Sequence, residues 1–162
     1  MTGVEKAKEM RNILERLMAK IPGFKGFMER ETRREVDALE RQVMAGTLSD
    51  IRADLLQHLE SGGLEGLQVL GEAEKTIDAL SQEVRYADYG YTGFFDVAKI
   101  YEAQLDQVYA FDLDFFTKIE ALKVLVDSKA EPRSILDKVR ELRKLFGKRK
   151  TILLQVVEEA KA

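Results

Sequence analysis

Cysteine is absent from the 162 residues, histidine occurs once, as His58, and proline only twice. Without cysteine there is no disulfide framework, no thiolate nucleophile and no cysteine-ligated zinc or iron–sulfur cluster. The absence fits a reducing compartment, and a cytoplasmic location is the expectation. A single histidine leaves no Glu-x-x-His pair of the kind that di-iron or di-manganese bundles use, because Leu55 stands three residues before His58. Neither a G-x-x-x-x-G-K-[ST] nor a G-x-G-x-x-G phosphate loop occurs, and no G-x-S-x-G elbow is present. No uncharged apolar run approaches the length of a membrane span, and the charged N-terminus MTGVEKAKEMRNILERL lacks the apolar stretch of a cleaved leader. No cofactor, metal ligand set or catalytic residue can be nominated, so a non-enzymatic role is expected.

What is present is the vocabulary of helices. The chain is 45% hydrophobic and 34% charged, and it is long enough to bury roughly two-thirds of its unfolded surface in one domain spanning 1–162. Thr2 and Glu5 make a capping box, and Ile13, Leu14, Leu17 and Met18 follow at helical spacing until Pro22. After the turn IPGFKGF, a second helix carries Met28, Val36, Leu39 and Val43 to about Ala45. Thr47 and Asp50 then predict the start of a short third helix that ends at SGG, residues 61 to 63. Leu67, Leu70, Ala73, Ile77, Leu80, Val84 and Ala87 mark a fourth.

The fifth helix has the strongest pattern. Positions 94, 98, 101, 105, 108, 112, 115, 119, 122 and 126 step by four and three without a break, and all but Asp112 are apolar or aromatic. Pro132 suits the first turn of a sixth helix, striped by Ile135, Val139, Leu142, Phe146, Leu153, Val156 and Ala160, with Gly147 expected to loosen it midway. Short connections favour antiparallel neighbours, and no strand-like alternation occurs. The expected fold is therefore an all-α, antiparallel up-and-down bundle of about five long or medium helices and one short one.

Three features could carry function. All five tyrosines and five of the eight phenylalanines lie between residues 86 and 116, and the connection YADYGYTGFF is their densest part. Tyr86, Phe94 and Phe95 could plug the end of the bundle, with Thr92 as a cap and Gly90 and Gly93 permitting the turn. Alternatively Tyr86, Tyr89, Tyr91, Phe94 and Phe95 form a partner-binding surface, because interfaces concentrate rigid aromatics with polar tips. Single-stranded nucleic acid is disfavoured there, since cations are scarce and the local charge is negative.

Asp112 is the second feature. A carboxylate on an apolar stripe must find a partner, with Arg33, Arg34 and Arg149 as candidates, or sit at the boundary while Phe111 and Phe116 take the core. A raised-pKa acid or a metal ligand is the functional alternative.

The third is a basic run. Charge is uneven along the chain: residues 62–93 carry 2 basic and 6 acidic groups, 94–128 carry 3 and 7, and 129–162 carry 10 and 5. Arg140, Arg143, Lys144, Lys148, Arg149 and Lys150, within 133–150, could bind nucleic acid or an anionic membrane surface. The simpler expectation is that acids of the fifth helix neutralise them, and overall acidity disfavours nucleic acid. The reading favoured by the sequence is a helical scaffold or adaptor that binds another protein or a second copy of itself. Nucleic-acid or membrane-surface binding through 133–150 is the alternative, and a carboxylate-held metal in the bundle the second alternative.

Overall fold

The structure, a computed structural model, describes residues 2–21, 33–61, 66–87 and 102–161. The described residues hold five α-helices and no strand: α1 (Gly3–Lys20), α2 (Arg33–Ser61), α3 (Leu67–Arg85), α4 (Glu102–Asp127) and α5 (Pro132–Lys161). The fold is an all-α bundle of packed helices. The predicted turns IPGFKGF beyond Ile21 and YADYGYTGFF beyond Ala87, and the first part of the fifth helix up to residue 101, lie outside the described residues.

The expected start of α1 is present in full. The Thr2 backbone N–H donates to Glu5 Oε2 at 2.7 Å, and the Glu5 N–H donates to Thr2 Oγ1 at 3.2 Å, so each group satisfies a donor the helix end leaves open. The helix ends at Ile21, immediately before Pro22. Leu17 and Ile21 are fully buried.

The predicted break between a second and a third helix is not there. α2 runs without interruption through Ala45, Gly46 and Thr47. Thr47 is no cap: its Oγ1 donates to the Val43 carbonyl at 2.9 Å, the back-bond of a threonine inside a helix. The buried face also differs in phase from the expected Leu39 and Val43; the side chain of Val36 lies outside the described residues. That face is Glu40, Met44, Leu48, Ile51 and Leu55, while Leu39 and Val43 are half-buried. α5 likewise continues through Gly147 without interruption.

The chain forms two compact units. One takes in 41–87 and 115–147, and its helix directions are fixed by side-chain contacts. Arg41 Nη1 donates to the Arg85 carbonyl at 3.0 Å, Ser81 Oγ to the Ala45 carbonyl at 3.0 Å, and Arg52 pairs with Glu74. Numbers rise along α2 as they fall along α3, so the two are antiparallel. Glu72 and Glu83 of α3 pair with Arg140 and Arg143 of α5, in the same order, so those two run parallel. The Phe115 and Phe146 rings, 5.4 Å apart, face each other across the turn that joins α4 to α5, which are antiparallel. This is the up-and-down order. The core of this unit is built from Ile51, Leu55, Ile77, Leu80, Phe115, Ile119, Leu122, Val126, Leu136, Val139 and Leu142, all fully or almost fully buried. Burial of apolar surface on this scale is the principal force holding helices side by side.

Two special backbone sites shape the connections of this unit. Gly66, just before α3, has φ of +79°, and a Cβ there would lie 2.7 Å from Pro132 Cγ, so only glycine fits. α4 ends in a Schellman motif, with Ala130 N–H donating to the Leu125 carbonyl at 2.9 Å and Lys129 N–H to the Val126 carbonyl at 3.0 Å. Lys129 occupies the left-handed position, φ 53°, that glycine usually fills.

The other unit takes in 1–40, 88–114 and 148–162. Its buried side chains among the described residues include Leu17, Ile21, Val108, Tyr109, Leu113 and Leu153, together with three charged ones, Glu40, Asp112 and Arg149.

Candidate functional site

Asp112 and Arg149 reach each other because each takes the place of an apolar residue on its own helix. On α4, Asp112 falls between Val108 and Phe115 in the four-and-three rhythm. On α5 the steps from Ile135 through Val139, Leu142 and Phe146 lead to 149 and then Leu153, so Arg149 completes a stripe whose apolar residues alone leave a gap. Both residues are 1% exposed. Arg149 Nε donates to Asp112 Oδ1 at 2.6 Å and Nη2 to Oδ2 at 2.9 Å, a two-pronged pairing of planar groups. Glu40, also 1% exposed, brings a third charge from α2, with Oε2 at 3.9 Å from Arg149 Nη2. The guanidinium thus stands within reach of two carboxylates, both out of water.

Of the partners expected for Asp112, Arg149 is the one observed; the side chains of Arg33 and Arg34 lie outside the described residues. The boundary arrangement is overturned, since Asp112 is buried while Phe111 is half-exposed. A guanidinium already holds both Asp112 oxygens, which is the arrangement of an ion pair. Among the described residues, no three acidic or histidine side chains come together in a way that could hold a metal ion.

The basic run does not form one solvated face. Arg149 belongs to the buried pair and is closed to any anion from solvent. Arg140 Nη2 donates to Glu72 Oε2 at 3.2 Å, and Arg143 donates to Glu83 Oε1 from Nε at 2.9 Å and Nη2 at 2.6 Å. The Arg143 guanidinium is held above its usual pKa, first by that hydrogen bond and then by the Glu83 charge. Arg52 is raised in the same way by its hydrogen bond to Glu74, against a smaller opposing effect of desolvation. The acids that meet Arg140 and Arg143 are on α3, which the up-and-down order lays parallel to α5, while the helix expected to supply them gives Asp112 to Arg149. Lys144, Lys148 and Lys150 are exposed.

The aromatic zone divides. Tyr86 directly follows α3, closes its last turn through a 3.0 Å bond from its N–H to the Gln82 carbonyl, and is 71% exposed. Tyr109, Phe115 and Phe116 are buried, so their part of the zone is core and not a wet surface. Tyr89, Tyr91, Phe94 and Phe95 lie outside the described residues, as does Tyr101.

No family model, curated protein or solved structure matches this chain. Among the described residues no helix is long and apolar enough to cross a membrane.

Proposed function

We propose that the protein is a non-catalytic helical scaffold or adaptor that binds another protein, or a second copy of itself, through the aromatic connection that begins at Tyr86. The observation that carries this reading is the exposure of Tyr86 on a fixed mount. Its neighbour Arg85 has its carbonyl held by Arg41, a cation at the C-terminal end of α3, where the helix dipole favours one. An aromatic ring on a rigid base loses little freedom when it is covered, which is what makes tyrosine effective at the centre of interfaces. The basic helix supports a competing reading less well, because Arg140 and Arg143 are engaged by acids and Arg149 is buried.

The test is a photo-crosslinking phenylalanine analogue at position 86 in the full chain, irradiated in cell extract and with purified protein alone. Discrete adducts, to a second copy or to one partner, are expected. They should be lost when Tyr89 and Tyr91 are changed to Ala. Irradiation that yields no adduct in either setting, together with a single monomeric mass by light scattering across concentration, would remove this surface from consideration. Salt-sensitive retention on an anionic matrix that falls with Lys144→Gln and Lys148→Gln would favour the basic helix instead.

A further inference from the structure

We propose that the buried Glu40, Arg149 and Asp112 side chains act as an alignment device, setting the axial register of α2, α4 and α5 within their unit, and that alignment rather than stability is their contribution. Apolar stripes at three-and-four spacing do not by themselves define one register. Burial of Leu, Val and Ile is non-directional, and a helix moved along its axis by one turn, ~5.4 Å, offers a similar greasy seam. Here such a move is penalised. Bringing Leu153 to the level of Asp112, or Val108 to that of Arg149, would leave charges out of water facing hydrocarbon. The two-pronged contact sharpens the selection, since Nε on Oδ1 and Nη2 on Oδ2 require the two planar groups to meet edge to edge at hydrogen-bond distance. Glu40 extends the same constraint to a third helix through its approach to Nη2. Removing charges from water is itself unfavourable, so an apolar set of similar volume would be at least as stable while losing this discrimination.

The absence of native cysteine permits a direct measurement. Spin labels on Gln107→Cys and Gln155→Cys, exposed positions of α4 and α5 in the same unit, report the distance between the two helices by pulsed electron resonance. In the full chain, one narrow distance is expected. In the variant carrying Glu40→Leu, Asp112→Leu and Arg149→Met, a second distance population is expected, with an unfolding midpoint equal to or above that of the parent. The labelled Val108→Ala protein serves as a control, with a lowered midpoint and a single distance. A triple variant that keeps one unchanged distance would show that the apolar seams align unaided. One that fails to fold, or melts lower, would show that the charges supply stability. A split distance in Val108→Ala would show that any weakening of the core has the same effect. Each of these three results overturns the proposal.

Discussion

Arg149 and Asp112 face each other in the interior as a paired guanidinium and carboxylate, joined by bonds of 2.6 and 2.9 Å. Removing one member strands the other. Asp112→Ala or Arg149→Met alone is expected to lower the unfolding free energy by about 3–5 kcal/mol. Urea titration of both single variants and the double should give a large coupling, with the double less damaged than the sum of the singles. Additive losses would mean that the two groups do not depend on each other.

Gly66→Ala introduces both a Cβ at 2.7 Å from Pro132 Cγ and an L side chain at φ of +79°. A loss of more than about 1 kcal/mol is expected, from the backbone term alone or more. Combining it with Pro132→Ala should recover the steric share and leave the conformational share. Thermal melts of the four proteins separate the two.

Lys129 offers the reverse change. Its left-handed backbone in the Schellman motif is one that glycine adopts without penalty, so Lys129→Gly should raise stability by roughly 0.5–1 kcal/mol. An unchanged or lower denaturation midpoint would contradict the cap geometry.

Gly46 and Gly147 sit inside continuous helices, and among the described residues a Cβ at either would meet nothing within 4 Å apart from the adjoining backbone of its own helix. Gly46→Ala and Gly147→Ala are each expected to stabilise by about 0.5–1 kcal/mol and to add when combined, being on different helices. Calorimetric midpoints of the two singles and the double would decide it.

The Arg143 and Glu83 pair is roughly half exposed, with side chains 47% and 41% accessible. Arg143→Gln should therefore change stability by no more than about 1 kcal/mol, and the difference should shrink in 1 M salt. Its pH behaviour follows from the raised guanidinium. A group whose folded pKa lies above its unfolded one contributes fully below the unfolded value, and the contribution fades only as pH rises through the folded one. That window begins above the ordinary arginine value, far on the alkaline side. From neutral to moderately alkaline pH the gap between parent and variant should be flat as far as Arg143 itself is concerned, as parallel denaturation curves would show.

Much of the bundle could be read from the residues because helical periodicity leaves a plain trace. Phe115, Ile119, Leu122 and Val126 are buried as their spacing predicts, and Thr2 with Glu5 starts α1. The misreadings share one cause, a charged or small residue standing on a buried face. Glu40 carries the phase of α2, so a stripe traced through Leu39 and Val43 runs along the edge of the buried face and not its centre. Ala45, Gly46 and Thr47 resemble a break when isolated, yet Ala45 and Leu48 are fully buried and packing carries the helix across. Asp112 was visible as an anomaly, and Arg149 was among the partners expected for it, standing in the gap between Phe146 and Leu153. The acids that meet Arg140 and Arg143 were not legible, because segment charge does not state which helix lies alongside.

Ser81 brings out a further property of the α2 and α3 pairing. Its one proton goes to the Ala45 carbonyl, so its oxygen receives the hydroxyl of Ser49 at 3.0 Å. Two of the smallest polar side chains therefore act as a spacer at a buried crossing. Ser81→Leu would wedge the rods apart, whereas Ser81→Ala would let them stay close but take from the Ser49 hydroxyl its acceptor. At this crossing the chain tolerates neither growth nor simple greasing.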